Sequence, residues 1–421
     1  MLYGWVPFSV AMFLFMRPRR AAAVVLIGGW LFLPQFAYDL PRIPDYGKAT
    51  AIATGLLLGI TLIDSRRLFQ LRPAPIDIFM ILWCTVPMVT SILNDLGAYD
   101  GASAVIGHIV VWGVPWLVGR LYFSSREGLR ELAVAVFIGG LIYVPLCLLE
   151  NRLAPILHYV VYGFNQHVFA QTRRFGGWRP VVFLEHGLAV GMWMTATSVT
   201  AFWLWLSGAK KRIVATPTGW LLTILLATTI LTRSLGALLL LAVAIPLLLV
   251  ARRLRTVWPI LLLGISVPIY LVLRIVFDWR AEILIDLAGK IHPVRARSLA
   301  GRLEVDAILA ERALQRPFFG WGGWDRMREG VEFVIPDTMW SITLGQYGFI
   351  GLVSLYGALL VPPLAALWGL RHRPFRRPEW AGVVALSLVV ILFLCDSFSN
   401  RMISPVYTCA AAALVGWSDL R

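Results

Sequence analysis

Hydrophobic residues fall along the chain in thirteen continuous runs, roughly 2–16, 21–37, 49–63, 76–93, 104–119, 131–149, 181–206, 213–231, 235–250, 257–276, 338–368, 381–395 and 403–417. Most approach the ~20 apolar residues a helix needs to cross a bilayer core. They are unbroken, unlike the alternating ~10-residue segments of an outer-membrane barrel. The pattern predicts an all-α, polytopic transmembrane bundle of 12–13 spans, forming one integral membrane domain over residues 1–421. Two long polar interruptions, 150–180 and 277–336, read as loops inserted between spans.

Within the larger loop, "SLAGRLEVDAILAERALQRP" has helical periodicity. Leu303, Ala307, Ala310 and Leu314 form an apolar stripe, so an amphipathic helix of about four turns is expected to lie on the membrane or over a cavity. Pro317 stops it. Arg302 then stands at the helix start, where the helix dipole disfavours a cation. It reads either as a surface charge or as the partner of an anion.

Charge orients the ladder of spans. Alternate short loops are basic: Arg17, Arg19 and Arg20; Arg66, Arg67 and Arg72; Arg120, Arg126 and Arg130; Lys210, Lys211 and Arg212; Arg252, Arg253 and Arg255; Arg371, Arg373, Arg376 and Arg377. The short loops between them are poor in Lys and Arg. Cytoplasmic loops carry that excess, so the N-terminus is expected outside, the C-terminus in the cytoplasm, and both long loops on the outer face. The net charge of +15 is thus explained by topology, and nucleic acid is not expected as a partner. The composition, 59% hydrophobic and 14% charged over 421 residues, excludes a soluble domain. Cys84, Cys147, Cys395 and Cys409 lie in apolar runs without metal spacing, so no metal or cofactor is expected. Met1 to Met16 has no basic lead-in, so no cleavable signal is expected.

Four stretches carry candidate chemistry. In "RRFGGWRPVVFLEHGLAVG", Arg179 precedes Glu185 and His186, which fall a few residues into an apolar run; such a pair is costly there unless it faces protein, water or ligand. Arg233, in the turn "TRSLG", is either a snorkelling anchor or a fork of donors for phosphate oxygens. Asp337 stands where the chain re-enters the membrane, either as a helix cap or as a carboxylate base beside the loop arginines. Arg401, in "DSFSNR", belongs to another outer turn.

Taken together, these residues resemble a known family. "GR" at Gly301–Arg302, an amphipathic helix, "RPFFGWG" at Arg316–Gly322, and Asp337 eleven residues before the glycine of "YGFIG" are similar to the O-antigen ligase and polymerase-like superfamily. "GGWRPVVFLEHGLAVG" and "TRSLGALL" extend the resemblance over about 170–355. Two departures stand out. Ligases of the family usually carry His-Asn where this chain has Asp337 and Thr338, and the family's turn places Arg after Ser, whereas Arg233 precedes Ser234.

The resemblance implies a bacterial inner-membrane glycosyltransferase with its active site facing the periplasm. The donor would be a glycan on polyprenyl diphosphate, the acceptor another glycan, and other polysaccharide-assembly proteins further partners. An acid at position 337 points to the polysaccharide polymerase branch. The alternatives are a ligase passing glycan to a lipid or protein acceptor and, from a different class, a transporter or flippase of a lipid-linked glycan. The implied catalytic residues are Asp337, Arg302 and Arg233, with Arg179, Glu185, His186 and Arg401 binding substrate.

Overall fold

A computed structural model describes residues 1–40, 45–291, 293–331 and 334–416. The chain is an all-α helical bundle. Each of the thirteen apolar runs coincides with helix: 2–15, 18–32, 48–63, 77–93, 98–123, 126–153, 187–206, 218–231, 235–254, 258–275, 339–370, 381–396 and 405–415. Seven of the described helices are long and apolar enough to cross a membrane, and several shorter ones are equally greasy. The protein is therefore a multi-pass membrane protein.

Burial sorts the helices into a centre and a rim. The central window of Gly187–Leu206 is 94% buried and that of Pro378–Asp396 is 83% buried, whereas Leu235–Leu254 is only 28% buried. Without a hydrophobic drive between helices in lipid, close approach depends on small residues. The run Ala410 to Ala413 supplies that surface on Pro405–Val415, and all four alanines are buried. The helices 18–32 and Ala98–Phe123 contain π-turns at Val24–Gly28, Ile109–Gly113 and Gly119–Phe123.

The interhelical connections segregate to two ends. At one end, Arg130 Nη2 donates to the Ala209 carbonyl at 2.7 Å, Arg126 lies over the Trp380 ring at 4.2 Å, and Trp203 stacks on Phe375 at 5.9 Å. At the other, Lys48 Nζ donates to the Phe183 carbonyl at 3.1 Å, Asn151 Nδ2 to the Leu231 carbonyl at 2.8 Å, and Asn94 Nδ2 to the Gly320 carbonyl at 3.1 Å. The basic short loops thus share one end, and both long loops share the opposite one.

Three expectations need correction. The seventh span begins at Gly187 and not 181, because 181–186 is held in turns and Val182 has φ 53°. Arg120 is no loop residue: it is 7% exposed inside a π-turn, where its Nε lies 3.1 Å from Asp77 and its Nη2 donates to the Arg72 carbonyl. The run 338–368 is not one smooth helix, because Gly348 breaks Met339–Leu370 with φ 63° and ψ −163°.

Candidate active site

The lower wall starts from a buried carboxylate. Glu150, 1% exposed, accepts the backbone N–H groups of Leu157, Val181 and Val182 at 2.9, 2.8 and 2.7 Å. A carboxylate with several backbone donors is strongly satisfied, so Glu150 fixes where 181–186 begins. His186 then caps the helix Gly187–Leu206, its Nδ1 accepting the Leu188 N–H at 3.0 Å. The other ring nitrogen therefore carries the proton of the neutral ring. The buried Arg179 stem lies against Gly187, where a Cβ would overlap it.

The upper wall is the 277–336 loop. Its long helix runs Pro293–Leu314, so Arg302 sits not at the start but in the middle, where the helix dipole does not disfavour a cation. The buried stripe also differs from the expected one. It comprises Leu303, Asp306, Leu309, Ala310 and Ala313, while Leu314 is exposed. Asp306 lies in that stripe at 1% exposure.

The loop helix grips the re-entry segment at two adjacent points. Arg302 Nε lies 3.8 Å from Asp337 Oδ2, and its Nη1 donates to the Ser399 carbonyl at 3.0 Å. One turn on, Asp306 Oδ1 accepts the Thr338 hydroxyl at 2.6 Å. Thr338 is the N-cap residue, so Asp337 is not, and its side chain is exposed beside Arg302. Burial pushes the Asp306 carboxyl up to about 6, against the hydroxyls of Thr338 and Ser341 and the charge of Arg274.

Behind this contact, the loop docks into the broken helix backbone to backbone. The Phe349 N–H donates to the Pro317 carbonyl at 2.6 Å, Ile350 to Phe318 at 3.2 Å, and Trp321 and Gly322 to Gly345 and Gln346 at 2.9 and 3.0 Å. Irregular backbone at a membrane boundary persists only where such partners satisfy it. Four further loop arginines hold the loop itself. Arg312 and Arg316 lie over the Trp321 ring at 3.6 and 4.5 Å, Arg316 and Arg326 donate to Asn94, and Arg328 donates to the Val334 carbonyl at 2.9 Å. Anion binding is therefore not needed to explain them. Arg295 lies in a stretch whose side chains are outside the described residues.

Between the walls the electrostatics are strongly positive. His186 is pushed down to about 3 by burial and then by His167, Arg179, Arg174 and Arg302. Its ring meets that of His167 edge-on, 4.2 Å between centroids. Glu185 is raised by burial against the opposing pull of Lys48 and Arg401. Arg401 also lies over the Trp324 ring at 5.2 Å. Arg302, Arg179, Glu185, His186, Arg401 and Asp337 thus belong to one mouth. Arg233 borders it: in left-handed conformation, φ 54°, it turns Nη1 to the Arg174 and Phe175 carbonyls at 3.2 and 2.5 Å, clamping the hairpin Arg173–Arg174/Gly177–Trp178.

Below the mouth opens a cavity of about 990 Å³. Lys48 and Glu185 stand at its polar end; Ile52, Leu56, Val110 and Val114 line its depth. Along Lys48–Ile63 the wall from Lys48 to Leu56 descends ~12 Å at 1.5 Å per residue. The exposed side of Glu185 faces this space.

Sequence reasoning missed Asp306, Lys48 and His167. Asp306 flanks the expected stripe and reads there as a solvent-face acid, so it carried no signal of its own. A Lys heading an apolar run was the signal for Lys48; His167 carried none. Among the described residues no group of three or more His, Cys, Asp or Glu is placed to hold a metal ion. The chain matches no protein-family model and no curated protein.

Proposed function

We propose that the protein is a bacterial inner-membrane glycosyltransferase that polymerises polyprenyl-diphosphate-linked oligosaccharide repeats on the periplasmic face. The observation that carries this reading is the Arg302–Asp337 pair, 3.8 Å apart, in the same charged cluster as Glu185, which lines an apolar cavity of about 990 Å³. That is a cation and a carboxylate beside a compartment for a lipid tail. The gathering of basic loops at the opposite end supports a cytoplasmic assignment for that end and for the C-terminus.

In this mechanism the acceptor hydroxyl attacks the anomeric carbon of the donor. The bond from that carbon to the diphosphate oxygen breaks, and its electron pair leaves with the diphosphate. Arg302 and Arg179 stabilise the departing charge, with the field of Arg174 behind them. Asp337 accepts the proton of the hydroxyl. His186, held down to about 3, is too weak a base for that step near neutral pH and orients the substrate instead. Glu185, raised by burial and facing the cavity, is the reserve base. Arg233 supports the hairpin that carries Arg174.

Deletion of the gene tests the reading. Single repeat units on a surface-glycan gel support a polymerase, and accumulated unattached polymer supports the ligase alternative. Asp337→Ala is expected to abolish polymer while the protein remains in the membrane; wild-type chain lengths would remove Asp337 from the base role. Arg302→Lys is expected to be severely impaired, because a point charge does not replace a bidentate fork. The helix broken at Gly348 favours a transporter as the second reading, since discontinuous helices line many transport sites. Chain extension by purified protein in detergent separates the two, as transport needs a barrier.

A further inference from the structure

A second large cavity, about 900 Å³, lies between Leu2–Phe15, the helix 18–32 and Arg126–Leu153. Its walls carry Phe8, Val24, Ile138 and Ile142, between 37 and 50% exposed. The π-turn Val24–Gly28 lies on its flank, and Gly28 leaves space beside the Trp5 ring. Its polar mouth is at the basic end of the bundle, away from the candidate active site. There Arg19, Arg20, Arg130 and Lys210 stand against Glu127 and Glu131.

Two of those cations are occupied. Arg19 pairs with Glu131 at 3.5 Å, and Arg130 donates to the Ala209 carbonyl at 2.7 Å. Arg20 and Lys210 form no ion pair among the described residues. Glu127 is likewise without an ion pair among the described residues, so the site offers an apolar trough capped by two available cations against one such carboxylate. From Arg20 to Phe32 the trough descends ~18 Å at 1.5 Å per residue. Half of a bilayer core is about 15 Å, so this depth fits the acyl chain of one leaflet better than a longer polyprenyl chain.

We infer that this groove binds one anionic glycerophospholipid from the leaflet at the basic end, its acyl chain in the trough and its phosphate between Arg20 and Lys210. The inference does not depend on the glycosyltransferase reading, because no residue of the candidate active site takes part.

The test uses the full-length protein purified in detergent, with phosphatidylglycerol and phosphatidylcholine of identical chains as probes. Binding is followed by native mass spectrometry and by the thermal midpoint. Phosphatidylglycerol is expected to be retained and to raise the midpoint more than phosphatidylcholine. Arg20→Ala with Lys210→Ala, a pair of solvent-side changes, is expected to weaken phosphatidylglycerol about thirtyfold, which is ~2 kcal/mol at about 1 kcal/mol per cation. Gly28→Leu, which fills the trough and leaves the cations, is expected to lose retention of both lipids. Equal response to the two headgroups overturns the proposal, as does unchanged phosphatidylglycerol binding in the double variant. Displacement of phosphatidylglycerol by equimolar polyprenyl phosphate also overturns it, and assigns the groove to the carrier lipid.

Discussion

Gly348→Ala should unlock the 277–336 loop from the bundle. Gly348 has φ 63° and ψ −163°, a region open essentially to glycine alone, where another residue costs about 1–3 kcal/mol. The added methyl would also overlap the Phe318 carbonyl, a backbone group with no side chain to swing aside. Relief of that overlap breaks the Phe349–Pro317 and Ile350–Phe318 hydrogen bonds, about 1 kcal/mol each. The total is roughly 3–5 kcal/mol, a large share of the 5–15 kcal/mol typical of a folded domain. Gly301→Ala is the matched control: it lies inside the loop helix with nothing within 4 Å of the new methyl, and should be neutral or stabilising by up to about 1 kcal/mol. Thermal unfolding in detergent, followed by tryptophan fluorescence, reads both variants. A Gly348→Ala midpoint equal to wild type, with the control also unchanged, would refute the claim that backbone docking at the break holds the loop.

Two further outcomes follow from buried acids. Asp306 is raised from 3.8 to about 6, so the folded protein holds that proton more tightly than the unfolded chain; its contribution is full below about pH 4 and is lost as pH rises through 6. The stability of wild type relative to Asp306→Asn should therefore fall between pH 4 and 6, and a flat difference in thermal midpoint across that window would contradict the assignment. Glu150→Ala leaves three backbone N–H groups without their acceptor, at about 1–3 kcal/mol for each one that stays buried; limited proteolysis should then cut within 155–180 at a rate at least tenfold above wild type, and an unchanged rate would show that the carboxylate does not organise that loop.

The apolar runs made the bundle legible, because hydropathy is what a bilayer selects and each run could be judged alone. The break at Gly348 was not legible, since hydropathy carries no information about φ, and the partners of the break lie about thirty residues upstream at Pro317 and Phe318. Asp306 was hidden for a related reason: an acid on an amphipathic helix reads as the solvent face until the element packed over it is known. Arg302 and Asp337 could be singled out separately by charge and position. Their approach across 35 residues depends on how the intervening loop folds back, which neither position shows alone. The structural roles of the arginines at 312, 316, 326 and 328 were not legible either, because stacking on Trp321 and donation to Asn94 and Val334 leave no trace in a charge count.

The way the upper wall is tied down also bears on biogenesis. Asn94 meets Gly320 across 226 residues, and Arg302 meets Ser399 across 97. As the chain is made from its N-terminus, the segment bearing Glu185 and His186 is inserted long before the helix that will cover it. The upper wall is tied to Ser399 only after Ala381–Asp396 has been inserted. Until then the mouth lacks its tie to Ser399 and the cavity lacks the wall that Ile403 and Pro405 supply, so the last helices to be inserted determine when both first take their assembled form.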